Sequence, residues 1–234
     1  FDHDGNDFAE TTGWVGKDDG LLVWDRDGNG AIDGGSELFG NHTKLADGSN
    51  GANGFAALAE IDSNRDGVVD ASDAGFGQLR VWKDADSNAV VSHGELLGLD
   101  AAGVHSLKLA YVQQSSTDTQ GNQHLQNGQY TRSDGSTGTM NDVWFAADLA
   151  RTKDLNTVAI AEDIAALPDL QGFGNVQSLH QAMARDTSRK LQALVEQFAQ
   201  TLDIDVRKGL FQDILYTWIG SDVYAENARG SYFG

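Results

Sequence analysis

The sequence predicts an α+β chain in which acidic loops are joined by short helices and strands, followed by a β-hairpin region and a small helical unit. Three observations carry that expectation. Residues 1–100 alternate Asp-, Asn- and Gly-rich stretches with short apolar runs, GLLVW at 20–24, FAALAEI at 55–61 and QLRVW at 78–82. From about residue 104 the pattern turns strand-like around an Asp-Gly turn signal, and beyond about 155 apolar residues recur at helical spacing.

Taken in order, VHSLKLAYV (104–112) reads as a strand, and residues 128–148 read as a hairpin turning at Asp134-Gly135. The polar stretch 113–128 between them is expected to be a mobile loop, in which Asp118→Ala should have no effect. In 186–202, Leu191, Leu194, Val195, Phe198 and Leu202 form a helical stripe with Asp186 or Thr187 as N-cap. In 205–220 the stripe is Leu210, Phe211, Ile214, Leu215 and Trp218, with Asp205 as cap and Gly220 as the stop. Such stripes are core before they are anything else. The expected division is 1–150 for the acidic module and 155–234 for a helical unit whose last residues, ARGSYFG, read as cut short.

Composition narrows the function. Lys and Arg number 16 against 35 Asp and Glu, a formal charge of −19, which repels phosphate backbones and anionic lipid, so no nucleic-acid partner is expected. No stretch approaches ~20 apolar residues, so no transmembrane segment is expected, and no charged-then-apolar leader is visible. The chain has no cysteine, which removes disulfides, thiolate ligands and a cysteine nucleophile. With 28 glycines and one proline, it turns on glycine.

The acidic stretches have a regular spacing. DSNRDGVVDASD (62–73) sets four mutually repelling carboxylates within one short loop. A solvated acidic turn is one reading; the other is a cation among the oxygens. Calcium takes six to eight oxygens, which a twelve-residue loop supplies from positions 1, 3, 5, 7, 9 and 12, with glycine at 6 for the sharp turn. Asp62, Asn64, Asp66, the Val68 carbonyl, Asp70 and Asp73 fill those places, with Gly67 at 6 and a short Asp where Glu is usual. In 84–95, Asp84, Asp86, Asn88, the Val90 carbonyl, Ser92 and Glu95 do the same, but Ala89 replaces the glycine. A third loop offers Asp25, Asp27, Asn29, the Ala31 carbonyl and Asp33, with Gly30 at 6 and Glu37 one place late, at 13. The first offers Asp2, Asp4, Asn6, the Phe8 carbonyl and Glu10, with Gly13 at position 12, so that Asp18 or Asp19 would have to fold back to complete it. Two complete and two partial matches favour EF-hand-like sites for three to four Ca2+ ions over solvated turns. Magnesium, which keeps its waters, suits such cages less.

Competing chemistry is thin. There is no HExxH, GxSxG, GxxxxGK[ST] or CxxC, and the six histidines are scattered. The many Asp and Glu single out no glycosidase pair.

Residues 1–40, then NGFAALAEIDSNRDG and LRVWKDADSN, resemble a module of large secreted RTX proteins, similar to the FrpC-type self-processing module, over residues 1 to about 150. The helical segment around 174–220 is similar to segments that follow this module. The resemblance implies type I secretion to the extracellular space or cell surface, folding on meeting calcium, and a place within a larger RTX polypeptide of adhesin or toxin kind. In self-processing relatives, calcium-induced folding strains an upstream Asp-Pro bond, the aspartate attacks its own carbonyl carbon, and a lysine amine captures the anhydride. The one proline here, Pro168, follows Leu167, so that bond would lie upstream of these residues.

Overall fold

The computed structural model describes residues 1–221, in two compact units divided between Leu149 and Ala150. The expected truncation at 228–234 lies outside the described residues.

In the first unit the chain forms β1 (Phe8–Thr12), β2 (Leu21–Val23), a single 3-10 turn at Gly35–Glu37 and the five-residue helix α1 (Gly54–Leu58). Asn53 caps α1, its side chain accepting from Ala56 N. Next come β3 (Val68–Val69), a 3-10 turn at Phe76–Gln78, β4 (Arg80–Trp82), β5 (Leu96–Gly98), β6 (Val104–Thr117), β7 (Gln123–Arg132) and β8 (Thr137–Trp144), and β9 (Ala147–Asp154) runs out across the unit boundary. One antiparallel sheet has the order β2-β4-β5, with Trp82 opposite both Leu21 and Leu96. A larger antiparallel sheet has the order β3-β6-β7-β8, with Leu107 opposite both Val69 and Tyr130.

The apolar runs become two cores. Leu58, Ile61, Val69, Leu79, Leu99, Val104 and Leu107 bury one. Trp14, Val23, Ile32 and Trp82 bury the other. Each fully buried large side chain contributes about 1.5–3 kcal/mol, so these runs hold the sheets against which the acidic loops sit.

The α+β expectation with EF-hand-like loops is overturned. The fold is predominantly antiparallel sheet, and among the described residues no acidic loop lies between two helices. The loop at 84 closes the β4–β5 hairpin, and the loop at 25 leaves β2 for a single turn. The strands beside the loops at 25 and 84 are three residues long and rich in Val, Leu and Trp, too short to nucleate helices but long enough to pair, while the loop at 62 follows the single short helix α1.

The stretch 113–128 is also corrected. It is the far end of β6, a turn and the start of β7, joined by pairs such as Gln113↔Gln126 and Thr117↔Gln123. Much of this ribbon is wet, so no apolar alternation marks it in the sequence. Asp118 builds its turn by accepting from Gln120 N (2.8 Å) and Asn122 N (2.9 Å), with Gly121 at φ +88°. The hairpin turn expected at Asp134-Gly135 forms between β7 and β8, with Gly135 at φ +83°.

Asp142 on β8 is 7% exposed; burial pushes its carboxyl pKa up, against hydrogen bonds from Gly54 N and the Trp144 indole. A carboxyl raised on folding favours the fold while protonated, and that contribution is lost as pH rises through its folded pKa. Melts of Asp142→Asn from pH 3 to 7 should therefore show the variant gaining on the wild type as pH rises. A constant difference would show that Asp142 does not titrate with folding.

The second unit holds α2 (Glu162–Ala165), α3 (Leu179–Arg185), α4 (Lys190–Gln200) and α5 (Ile204–Trp218) around Ile164, Leu179, Met183, Leu191, Val195 and Ile214. Sequence periodicity passes over α2 and α3 because four and seven residues hold too few turns to show it. Asp203, not Asp205, caps α5, accepting from Asp205 N and Val206 N. Asp186 accepts from Leu191 N (2.8 Å), although the residue before α4 is Arg189 in a left-handed conformation. Gly220, at φ +69°, ends α5, with Ser221 N bonded to Tyr216 O. Leu202 lies past the end of α4 and is 94% exposed, so the stripe stops at Phe198.

Candidate metal centres

All four acidic loops use the same local scheme. The first carboxylate turns back on its own loop and gathers amides. Asp84 Oδ1 takes Asn88 N (3.1 Å) and Oδ2 takes Ala89 N (2.8 Å). Asp62 takes Asp66 N and Gly67 N, Asp25 takes Gly28 N, Asn29 N and Gly30 N, and Asp2 takes Gly5 N, Asn6 N and Asp7 N. The fifth side chain then accepts from the seventh amide: Asn6 from Phe8, Asn29 from Ala31, Asp66 from Val68 and Asn88 from Val90, at 2.6–2.9 Å. Position 6 is left-handed in every loop, at Asp7 (φ +68°), Gly30 (+83°), Gly67 (+83°) and Ala89 (+57°).

The closing carboxylate ties the two halves of each complete loop together. Glu95 accepts from Ala85 N (3.0 Å) and Ser92 N (2.9 Å), and Asp73 from Ser63 N (2.8 Å) and Asp70 N (3.0 Å). Glu37 makes the same pair of contacts, with Arg26 N (3.2 Å) and Asp33 N (2.9 Å), despite its extra residue. The turn at Gly35–Glu37 absorbs the insertion and returns the carboxylate to its place. In the first loop Glu10 closes from the middle of β1 and accepts from His3 N (3.2 Å).

Three loops therefore bring three carboxylates together. Ligand atoms of Asp2, Asp4 and Glu10, of Asp25, Asp27 and Glu37, and of Asp84, Asp86 and Glu95 each lie within 4.8 Å of one another. Asp19 joins none of these groups; its carboxylate accepts from Gly16 N in its own turn. The loop at 62, complete in sequence, forms no such group among the described residues, because Asn64 holds the place of the second carboxylate. Asp70 there turns to Ser72 N (2.8 Å), Asp33 receives Asn29 Nδ2 (3.1 Å), and Ser92 contributes its amide to Glu95. The donor set of the three groups, all hard oxygens with loop carbonyls nearby in sequence, fits a calcium-sized cation and not a soft metal.

Electrostatics separate Glu37 from Asp84 and Asp73. Burial pushes the Glu37 carboxyl pKa up, and the bonds from Asp33 N and Arg26 N only partly offset this. Burial also opposes ionisation at Asp84, but amides of Ala89 and Asn88 and the Trp14 indole outweigh it, and its pKa is lowered. The bond from Asp70 N lowers Asp73, against burial. Asp84, which opens one loop, and Asp73, which closes another, are thus held ionised, Asp84 by its loop amides and the Trp14 indole and Asp73 by loop amides.

Ala89 carries the left-handed strain that the spacing predicts, and its methyl group packs against the core around Trp82. Ala89→Gly is expected to tighten calcium binding at this loop by up to a few fold, since relief of about 1 kcal/mol of left-handed strain outweighs the freed unfolded chain. Weaker binding in a calorimetric titration would show that the Ala89 methyl group matters more than its strain.

Two roles were not visible in the sequence. Trp14 donates its indole N–H to Asp84 Oδ2 at 2.7 Å, across 70 residues. Asp118, expected to be inert, holds Asn122, whose Nδ2 reaches the Trp14 carbonyl. Exposed Asp213 on α5 is the better neutral control.

Residues 1–146 match the family model described as the SPM domain, which covers more than half of the chain. Over 222 residues the chain is 39% identical to the iron-regulated protein FrpA of Neisseria meningitidis serogroup C, a match covering 95% of this chain and 20% of the relative. The chain thus spans about a fifth of the length of that relative. With that match over residues 1–146, the chain belongs to the SPM domain family.

Proposed function

We propose that the chain is a calcium-binding structural module of a larger, type I-secreted RTX polypeptide, ordered by calcium outside the cell. The observation that carries this reading is the convergence of three carboxylates in each of three loops, every one organised by the same amide contacts. Three carboxylates this close repel one another strongly unless a cation stands among them. Asp84, Asp86, Asn88 and Glu95, with the Val90 carbonyl, would hold one ion; Asp25, Asp27, Asn29 and Glu37, with the Ala31 carbonyl, a second; Asp2, Asp4, Asn6 and Glu10, with the Phe8 carbonyl, a third. The loop at 62 would bind more weakly, with Asn64 in place of the second carboxylate and the shorter Asp73 in place of a closing Glu. The bound ions would supply charge neutralisation, and the chain's residues supply the cage.

Equilibrium dialysis against calcium is expected to count three tight ions, falling to two in Asp84→Asn and staying at three in Asp213→Asn. A count that does not fall in Asp84→Asn would sink the assignment of that loop. A second reading, participation in cleavage of an upstream Asp-Pro bond, is favoured by the family match over 1–146. A longer chain that carries such a bond would then release a fragment on calcium addition, and would stay whole if the module serves folding alone.

A further inference from the structure

Among the described residues, Asp2, Asp25 and Asp62 take their hydrogen bonds from their own loops, whereas Asp84 also receives one from the protein core. Its partner, the Trp14 indole, is 8% exposed, and Asp84 is 1% exposed. Oδ2 accepts both this N–H and Ala89 N, while Oδ1 accepts Asn88 N at 3.1 Å.

Trp14 is itself held from several sides. Its backbone N–H donates to Gln120 Oε1 (2.8 Å) and its carbonyl accepts from Asn122 Nδ2 (3.3 Å), both in the β6–β7 turn. Asn122 is 1% exposed and is fixed in turn by Asp118 and Ala146 N. The indole ring stacks on Phe145 and meets Trp82 edge-on, at 5.4 and 5.5 Å between centroids. A side chain gripped at both backbone ends and across its ring is a fixed point, and it sets the rotation of the Asp84 carboxylate.

We infer that Trp14 is a positioning residue for the cation site at 84, holding Asp84 Oδ2 so that Oδ1 is the oxygen offered to the ion. This inference rests on the calcium reading above. The indole also draws on the carboxylate's charge, and losing that competition would tighten binding. It acts on Oδ2, however, which a loop amide already occupies, so the loss of orientation is the larger effect. Groups that orient a metal-ligating side chain are typically worth about 10–100-fold in affinity.

The test is a calcium titration of the full 15N-labelled chain by nuclear magnetic resonance. The position-6 amides of Ala89, Gly30 and Gly67 report the loops at 84, 25 and 62 separately. In Trp14→Phe the Ala89 midpoint is expected to move about tenfold to higher calcium, with Gly30 and Gly67 unmoved. Should that variant fold poorly, Trp14 replaced by 3-benzothienylalanine keeps the bicyclic shape and removes only the N–H. In the wild type the Trp14 indole resonance should shift with the Ala89 midpoint. An unmoved or tighter Ala89 midpoint in the isostere, or equal movement of all three amides, would overturn the role of Trp14. A wild type in which none of these amides responds to calcium would overturn the calcium reading and this inference with it.

Discussion

Chelating calcium is expected to lower the thermal midpoint of the chain by about 20 °C. An ion that binds the folded chain and not the unfolded one stabilises it by about 2.7 kcal/mol at a hundredfold excess over its dissociation constant. Three such loops amount to about 8 kcal/mol, comparable with the whole stability of an ordinary domain, at about 5–15 kcal/mol. For a chain of this size each kcal/mol moves the midpoint by about 2–4 °C. Charge acts in the same direction, since three ions of charge two would bring the formal −19 to −13. The measurement is a pair of circular dichroism melts, in chelator and in millimolar calcium, with magnesium as the control. Equal midpoints in chelator and calcium would remove calcium-coupled folding, and an equal effect of magnesium would show general screening in place of caged sites.

Gly35→Ala is expected to destabilise the first unit by about 3 kcal/mol and to weaken two loops together. A Cβ at residue 35 would lie 1.9 Å from the His3 carbonyl oxygen and 2.7 Å from its carbon. The obstacle is backbone, which cannot swing aside as a side chain would. That backbone belongs to the first loop, and it is held there by Gly35 N donating to Asp2 O (2.9 Å) and by the parallel bridge between Asp2 and Gly34. Forcing the strands apart displaces Asp2 on one side and the turn carrying Glu37 on the other. The expected signature is a lowered midpoint in calcium, with the amides of Asp7 and Gly30 needing more calcium and Gly67 unchanged. A variant as stable as the wild type would mean that the first two loops are not joined at this contact.

The loops that the spacing points to are the loops that form, down to left-handed φ at Gly30, Gly67 and Ala89. Their closing groups were less legible. Glu37 is out of register with the twelve-residue template, and only the turn at Gly35–Glu37 shows how it returns to Arg26 N and Asp33 N. Asp19 was a reasonable donor for the first loop on charge alone, but Glu10, in the middle of β1, joins the group instead. The loop at 62 has the fullest match to the template and still gathers fewer carboxylates, because Asn64 answers to the pattern of oxygen donors without carrying charge.

What the sequence by itself determined is what a few consecutive residues can settle among themselves. An Asp that collects amides three to five residues on, an Asn that caps the amide two residues on, and a helix stripe from Leu191 to Phe198 all depend on contacts within about two turns of chain. What only the tertiary structure decided is what lies beside the loops. Strands flank the loops at 25 and 84 in place of helices, because Trp82 pairs with Leu21 and Leu96 and buries itself against Trp14. The indole that steadies Asp84 comes from 70 residues away, and Gly35 meets His3 from 32 residues away. Such partners share no spacing rule, since strand pairing and core packing select neighbours by complementary surface after the chain has folded back.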